Sequence, residues 1–341
     1  MTTVLGIETS CDETAASVVV DGRTVLSSVV SSQIDLHARY GGVVPEIAGR
    51  AHVQLITPVI TEALQQAGFD HKGAGIDLVA ATIGPGLIGS LLVGVSAAKA
   101  LALVWDVPFV GVNHLEAHLL SPFLEHPDLD LPLVTLLVSG GHTLIVHMES
   151  ATSYRVLGST IDDAAGEAYD KVARFLGLPY PGGPVIDRLA GEGDVDAVRF
   201  PRAMRNEGYD FSFSGLKTSV VNHVRKHPDM SNADVAAAFQ EAVVDVLVTK
   251  VGRAAREVGA RGIAIGGGVA ANSALRARIA ELGQSLGIRT FIPERAMCTD
   301  NAAMVAGAAW WRHPVDGALS LSAGALPGLG LRGTGAGSSP S

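Results

Sequence analysis

The apolar positions fall into short runs and longer periodic stretches, with polar turns between them. Residues 4–7 and 15–20 read as buried strands joined by the polar turn Glu8-Thr9-Ser10-Cys11-Asp12-Glu13-Thr14. The chain therefore opens with a β-hairpin whose turn is rich in hydroxyls and carboxylates. Apolar residues at Ile47, Val53, Leu55, Ile56, Val59, Ile60 and Leu64 predict a helix over 44–68, entered at Pro45, kinked at Pro58 and ended at Gly68. A strand over 77–83 meets Gly84-Pro85-Gly86, which leads into a small-residue helix over 87–104. A strand over 108–112 runs into Asn113, the predicted N-cap of a helix that carries His114 and His118.

The second half repeats the theme. Strands over 133–138 and 144–148 flank the glycine turn Ser139-Gly140-Gly141-His142-Thr143, an echo of the first hairpin that suggests internal duplication. A helix is predicted over 162–176, carrying Asp162, Asp163, Glu167, Asp170 and Lys171, and Pro181-Gly182-Gly183-Pro184 forms a rigid turn before Asp187. Residues 191–210 read as a charged loop in which Arg199, Arg202 and Arg205 form a basic cluster, and the polar-aromatic stretch 211–218 follows. An amphipathic helix over 232–258 precedes a strand over 262–265, the turn Gly266-Gly267-Gly268 and a helix over 273–285. Strand, triple glycine, helix is a geometry in which bare backbone can meet a nucleotide. The last helix is predicted over 301–312 with Asp300 as its N-cap, and the aperiodic tail 315–341 reads as disordered.

Composition narrows the class. The 341 residues suffice for two domains, or one large one with a deep cleft. Hydrophobic residues make up 48% and aromatics only 5%, with 40 glycines, which is the aliphatic core of an α/β enzyme. A net charge of -9 excludes a protein that holds nucleic acid by overall charge, so such a partner would need a local basic patch or a helper protein. Cys11 and Cys298 lie far apart with no secretory signal before them, which predicts a cytoplasmic protein without a disulfide framework. Residues 86–105 are long enough to cross a bilayer, but their glycines, serines and alanines predict a buried or interface helix and no membrane association.

The clearest candidate chemistry is the histidine pair. His114 and His118 are four residues apart, so a helix projects both from one face, as two ligands of one metal require. The zinc-protease motif places Glu directly after the first His, where it acts as base. Glu116 is two residues on, about 200° round the helix, and leaves that face. These six residues alone leave metal binding and two unliganded histidines equally open.

Several stretches, taken in order, resemble the tRNA threonylcarbamoyladenosine transferase family, once described as O-sialoglycoprotein endopeptidases. They are 6–14, 44–46, 84–87, 113–118, 137–143, 162–168, Asp170-Lys171, 180–184, 211–218, 266–272 and Cys298-Thr299-Asp300-Asn301. The resemblance spans about residues 3–312. It implies an α/β fold of the actin, Hsp70 and sugar-kinase (ASKHA) type, with two related lobes flanking a nucleotide cleft. The lobes would be 1–112, closed by a helix over 301–313, and 113–300. The resemblance makes His114, His118 and Asp300 the ligands of one divalent metal, Fe2+ or Zn2+. It makes Leu137, Val138, Ser139, Gly140, Gly141, Asp170, Gly183, Asp187 and Asn272 substrate-binding. The implied reaction moves the threonylcarbamoyl group of threonylcarbamoyl-AMP to N6 of adenosine 37 in tRNAs that read codons starting with A, forming t6A. Asp12 or Glu13 would take the N6 proton. The implied partners are tRNA, a TsaB-type paralogue and a TsaE-type ATPase. Ala117 stands where the family often has glycine.

Three other functions compete. A metallopeptidase would share the metal but lacks a base on its face. A small-molecule carbamoyltransferase or kinase of the same fold would turn over without tRNA. A non-enzymatic scaffold would tolerate loss of His114. Helices 44–68 and 87–104 are further expected to meet the paralogue through the thin flank formed by Gly89, Ser90, Gly94 and Ser96.

Overall fold

A computed structural model describes residues 1–126 and 128–331. They form two compact units, Met1–Leu129 with Thr299–Leu331, and Asp130–Cys298. The first begins with three antiparallel strands, β1 (Thr3–Glu8), β2 (Glu13–Val20) and β3 (Thr24–Ser32). Helices α1 (Ile34–Ala38) and α2 (Pro45–Gln66) lead to β4 (Leu78–Gly84), α3 (Ile88–Trp105) and β5 (Phe109–Asn113). β4 pairs parallel to β1 and β5 parallel to β4, so the sheet order is β3-β2-β1-β4-β5. The short helices α4 (His114–Leu120) and α5 (Pro122–Glu125) follow at once.

The second unit repeats this plan. Strands β6 (Leu133–Val138), β7 (Thr143–Met148) and β8 (Tyr154–Ser159) form an antiparallel meander. Helices α6 (Ala165–Phe175), α7 (Gly182–Ala190), α8 (Ser214–Lys226) and α9 (Asn232–Glu257) come next. The chain continues through β9 (Gly262–Gly266), α10 (Ser273–Leu286), β10 (Arg289–Phe291) and α11 (Arg295–Cys298). β9 is parallel to β6 and β10 to β9, giving the order β8-β7-β6-β9-β10, strand for strand the arrangement of the first sheet. The echo between the two hairpins is thus part of a repeated sheet. Helix α12 (Ala302–Asp316) then returns to the first unit.

Every residue of β1 is buried, as a strand covered on both faces requires. On one face Leu5, Ile7, Val18 and Val79 pack with Ile56, Ile60, Val95 and Phe109. On the other lies α12, whose backbone comes so close that a Cβ on Gly6 would strike the Ala302 carbonyl. In the second unit the core gathers on α9, with Phe239, Val243 and Leu247 against Leu136, Ile263 and Ile265. Lys250, on the same helix, is fully buried and donates to the carbonyls of Glu207 (2.7 Å) and Gly208 (3.3 Å), so its charge is not left unsolvated.

Four expectations change. The division falls after residue 129, not 112, because α4 grows directly out of β5 and packs on α12. The helix expected from 162 begins at Ala165, because Asp162 instead accepts from the Phe213 N–H (2.8 Å) and the Ser212 and Ser214 hydroxyls (2.6 and 2.8 Å) at the start of α8. The flank of α3 expected to meet a partner is divided: Ser90 and Gly94 are buried, Gly94 against Thr9, whereas Gly89 and Ser96 are exposed. Residues 317–331, expected to be disordered, lie on the first unit. The Leu319 N–H donates to Phe109 O (2.8 Å) and the Leu326 N–H to Ile83 O (2.7 Å). Leu319, Ala325 and Leu329 pack on the core. The tail has no helical or strand period because it binds as an irregular strap interrupted by two turns, closed by Ala323 N–H on Ser320 O and Leu329 N–H on Leu326 O. The rest of it, 332–341, lies outside the described residues.

The packing at Gly94 sets an expectation. Gly94→Leu overfills the contact with Thr9 and should lower unfolding free energy by about 1–3 kcal/mol in urea denaturation. Leu92→Ser, on the exposed face of the same helix, should stay within about 0.5 kcal/mol of the parent.

Candidate metal centre and glycine-lined site

α4 begins where β5 ends, and Asn113 caps it by accepting from the N–H groups of Leu115 (2.9 Å) and Glu116 (3.3 Å). This sets His114 and His118 on one helical face, with ring centroids 4.8 Å apart and planes at 87°. Asp300 comes from the loop before α12. Its Oδ1 lies 3.0 Å from His118 Nε2 and 3.5 Å from His114 Nε2. The three ligand atoms lie within 4.8 Å of one another. The cap expected at Asp300 is supplied by Asn301, whose side chain accepts from the Met304 N–H (3.0 Å). Glu116 turns away, as its spacing predicts, and pairs with Arg312 (3.4 Å).

The sequence reading missed the residue that orients His114. Glu8, fully buried at the end of β1, lies 3.1 Å from His114 Nδ1. It also accepts from the Thr82 hydroxyl (2.6 Å) and the Ser10 N–H. Binding Nδ1 leaves Nε2 turned to Asp300, the arrangement by which a carboxylate fixes a metal-ligating imidazole. The one available signal was a charged residue ending a buried strand.

The electrostatics fit a cation. Burial alone would raise the Glu8 carboxyl, but the charge and hydrogen bond of His114 hold it below the usual range. Burial would lower His114, yet Asp300 and Glu8 bring it up to about 9. His118 can donate an Nε2–H to the Asp300 oxygen, whereas His114, whose Nδ1 is already engaged by Glu8, meets that oxygen through Nε2 only with a second proton or a cation between them. Burial, then Asp300 and Asp12, pushes Glu13 up to about 10, and burial and the same two aspartates push the Cys11 thiol up. Two imidazoles, one carboxylate and further acids close by suit a divalent ion of the iron or zinc type.

The second unit gathers its predicted residues at the ends of β6 and β9 and the starts of α7 and α10. Leu137 and Val138 are wholly buried, so only their backbone can meet a ligand. In the turn after them Ser139 N–H donates to His142 O (2.8 Å), and added Cβ atoms on Gly140 and Gly141 would meet open space. Gly267 has φ +86 and a Cβ there would lie 2.6 Å from Val138 O, so glycine alone fits where the triple-glycine turn touches the hairpin. Asp170 accepts from the Gly182 N–H (2.8 Å), fixing the entry to α7 beside Gly183, which is open to solvent-sized space. Asp187 accepts from Ser273 N–H (3.0 Å) and Oγ (2.7 Å). Asn272 caps α10 at Leu275 (2.9 Å) and donates to Gln240 (2.6 Å).

The arginine cluster is charge-compensated. Asp245 holds Arg202 (3.0 Å) and Arg205 (2.8 Å), and Glu241 holds Arg278 (3.1 Å). Arg199, Arg202 and Arg205, with Asp196, Glu241, Asp245, Val195 and Val198, line a cavity of about 470 Å³ with no excess of positive lining charge.

The family model described as "tRNA N6-adenosine threonylcarbamoyltransferase" matches residues 24–307. Proteins of that name from Symbiobacterium thermophilum and Moorella thermoacetica are 54% and 52% identical over 333 and 335 residues, covering 96% and 97% of both chains. One from Anaeromyxobacter dehalogenans is 56% identical over 311 residues, 90% of this chain and 92% of its own. Among solved structures, the fold is similar to component A of Acidaminococcus fermentans (R)-2-hydroxyglutaryl-CoA dehydratase, with TM-score 0.54, 16% identity, and 92% and 100% of the two chains covered. It is also similar to HypF of T. kodakarensis, with TM-score 0.63, 17% identity, and 91% and 47% covered. Those likenesses concern the ASKHA-type fold, and the sequence matches the function: the chain belongs to the tRNA N6-adenosine threonylcarbamoyltransferase family and is a transferase of that activity.

Proposed function

We propose that the chain takes threonylcarbamoyl-AMP as donor and modifies adenosine 37 of tRNA with one Fe2+ or Zn2+ held by His114, His118 and Asp300. The observation that carries this reading is the convergence of those three side chains, with His114 oriented by Glu8, in a member of this family. When bound, the metal supplies Lewis-acid and template chemistry for the oxygens of the threonylcarbamoyl group. The turns at 139–142 and 266–268 offer bare backbone to the adenylate, with Asp170, Gly183, Asp187 and Asn272 shaping the helix starts beside them. The N6 nitrogen forms a bond to the carbamoyl carbon, the bond from that carbon to the phosphate oxygen breaks, and AMP leaves. Asp12 or Glu13 takes the N6 proton. Burial first, then Asp300 and Asp12, raise the Glu13 carboxyl to about 10, so Glu13 must give up a proton of its own before it can serve as base. A peptidase is not favoured: Glu116, the nearest candidate base in the motif, is tied to Arg312.

The acidic net charge and the compensated arginine cluster support a need for partners, a TsaB-type paralogue and a TsaE-type ATPase, in the cytoplasm. α3 is long and apolar enough to cross a membrane, but Leu91, Val95, Ala98 and Ala102 face the core. Its opposite face leaves Ile88, Leu92, Leu103 and Val104 exposed, the last by 78%. We assign the paralogue to that face.

His114→Ala and Asp300→Ala should each strip the metal, read by elemental analysis, and abolish t6A formation from purified threonylcarbamoyl-AMP and tRNA. Near-stoichiometric metal in both refutes the ligand set. Metal binding must displace the proton that His114 carries below about 9. Affinity should therefore climb as pH rises towards 9, by about tenfold per unit for one proton, and then level off. Leu103→Asp should abolish co-purification with the paralogue while leaving metal content and thermal midpoint unchanged.

A further inference from the structure

Asn113 does more than cap α4. Its Oδ1 accepts from the backbone of Leu115 and Glu116, so its amide nitrogen points the other way. There Nδ2 donates to the carbonyls of Gly330 (2.9 Å) and Leu329 (3.4 Å). The donor and acceptor pattern admits only this amide orientation. Serine or aspartate would serve as well at an N-cap, but neither both accepts from the helix and donates to two carbonyls.

The strap that supplies those carbonyls is fitted to the sheet. β5 is an edge strand, and Leu319 pairs its N–H with the Phe109 carbonyl there. Further on, Leu326 donates to Ile83 O, Gly86 donates to Pro327 O (3.1 Å), and Lys99 Nζ donates to Ala323 O. A Cβ on Gly84 would collide with the Leu326 carbonyl, so the strand is shaped to receive the strap. The path runs from strap to Asn113 to the first residue of α4, which is His114. A helix of seven residues has little stability of its own and depends on its cap and packing.

We infer that residues 317–331 are a positioning element of the metal helix, acting through Asn113; this rests on His114, His118 and Asp300 being the ligands. Asn113→Ser keeps a capping oxygen and removes both donors to the strap. A second variant ends the chain after Gly317. Each is titrated with Co2+ and followed by its visible d–d absorption, with the thermal midpoint of the ion-free protein measured alongside. Loss of one or two hydrogen bonds coupled to the site should weaken Co2+ binding by roughly threefold to thirtyfold in Asn113→Ser. The shortened chain should lose at least as much, and adding Asn113→Ser to it should cost nothing further, because the contact is already gone. Unchanged Co2+ affinity and spectrum in Asn113→Ser overturns the inference, even if the thermal midpoint falls, since that marks a purely structural contact. Fully additive losses overturn it too. If the shortened chain does not fold, the single substitution decides. Failure of the ligand assignment looks different: His114→Ala would then keep its Co2+.

Discussion

The bond between Glu8 and His114 is the constraint on which the first unit's site depends. Glu8 has no exposure to solvent, and an unpaired carboxylate there would cost several kcal/mol. It is matched by three donors from three places: the Thr82 hydroxyl at the end of β4, the Ser10 N–H in the first turn, and the ring of His114 at the start of α4. Removing any one element leaves the charge short of a partner, so hairpin, sheet and α4 are fixed together. The same bond decides which ring nitrogen of His114 faces Asp300.

The repeated sheet sets two chemically different turns on one plan. In both units an antiparallel hairpin opens the sheet and a parallel strand pairs beside it. In the first unit the hairpin turn carries acids and hydroxyls and ends next to a histidine helix. In the second it carries glycines, and the strand beside it ends in Gly266-Gly267-Gly268. Side chains that concentrate negative charge suit a cation, while bare backbone N–H groups suit a phosphate or sugar. Gly267, held at φ +86 against Val138, could not be exchanged for a residue with a side chain without losing that turn.

Much of this was legible in the chain. Period and punctuation located β1, β2, β4, α2, α3 and α9 within a few residues, because each has an apolar pattern bounded by Gly, Pro or a cap. The histidine spacing was legible because a helix is local. Asp300 alone was not, since an acid before a helix reads equally well as a cap; only the position of Asn301 assigns the cap elsewhere. Glu8 was not legible as a positioning group because it lies 106 residues from His114. The inward face of α3 was misread because small residues permit close approach to a sheet as readily as to another helix. The strap was missed because its bonds are made one carbonyl at a time, with no period to detect.

If Glu8 fixes the ring of His114, its Nε2 is left, with His118 and Asp300, to hold one divalent ion. Anomalous diffraction at the metal edge from crystals of the metal-loaded protein tests it most directly. A single strong peak is expected among His114 Nε2, His118 Nε2 and the Asp300 carboxylate, with His114 Nδ1 still on Glu8. A peak elsewhere, or an ion bound through His114 Nδ1 with the Glu8 bond broken, would contradict it.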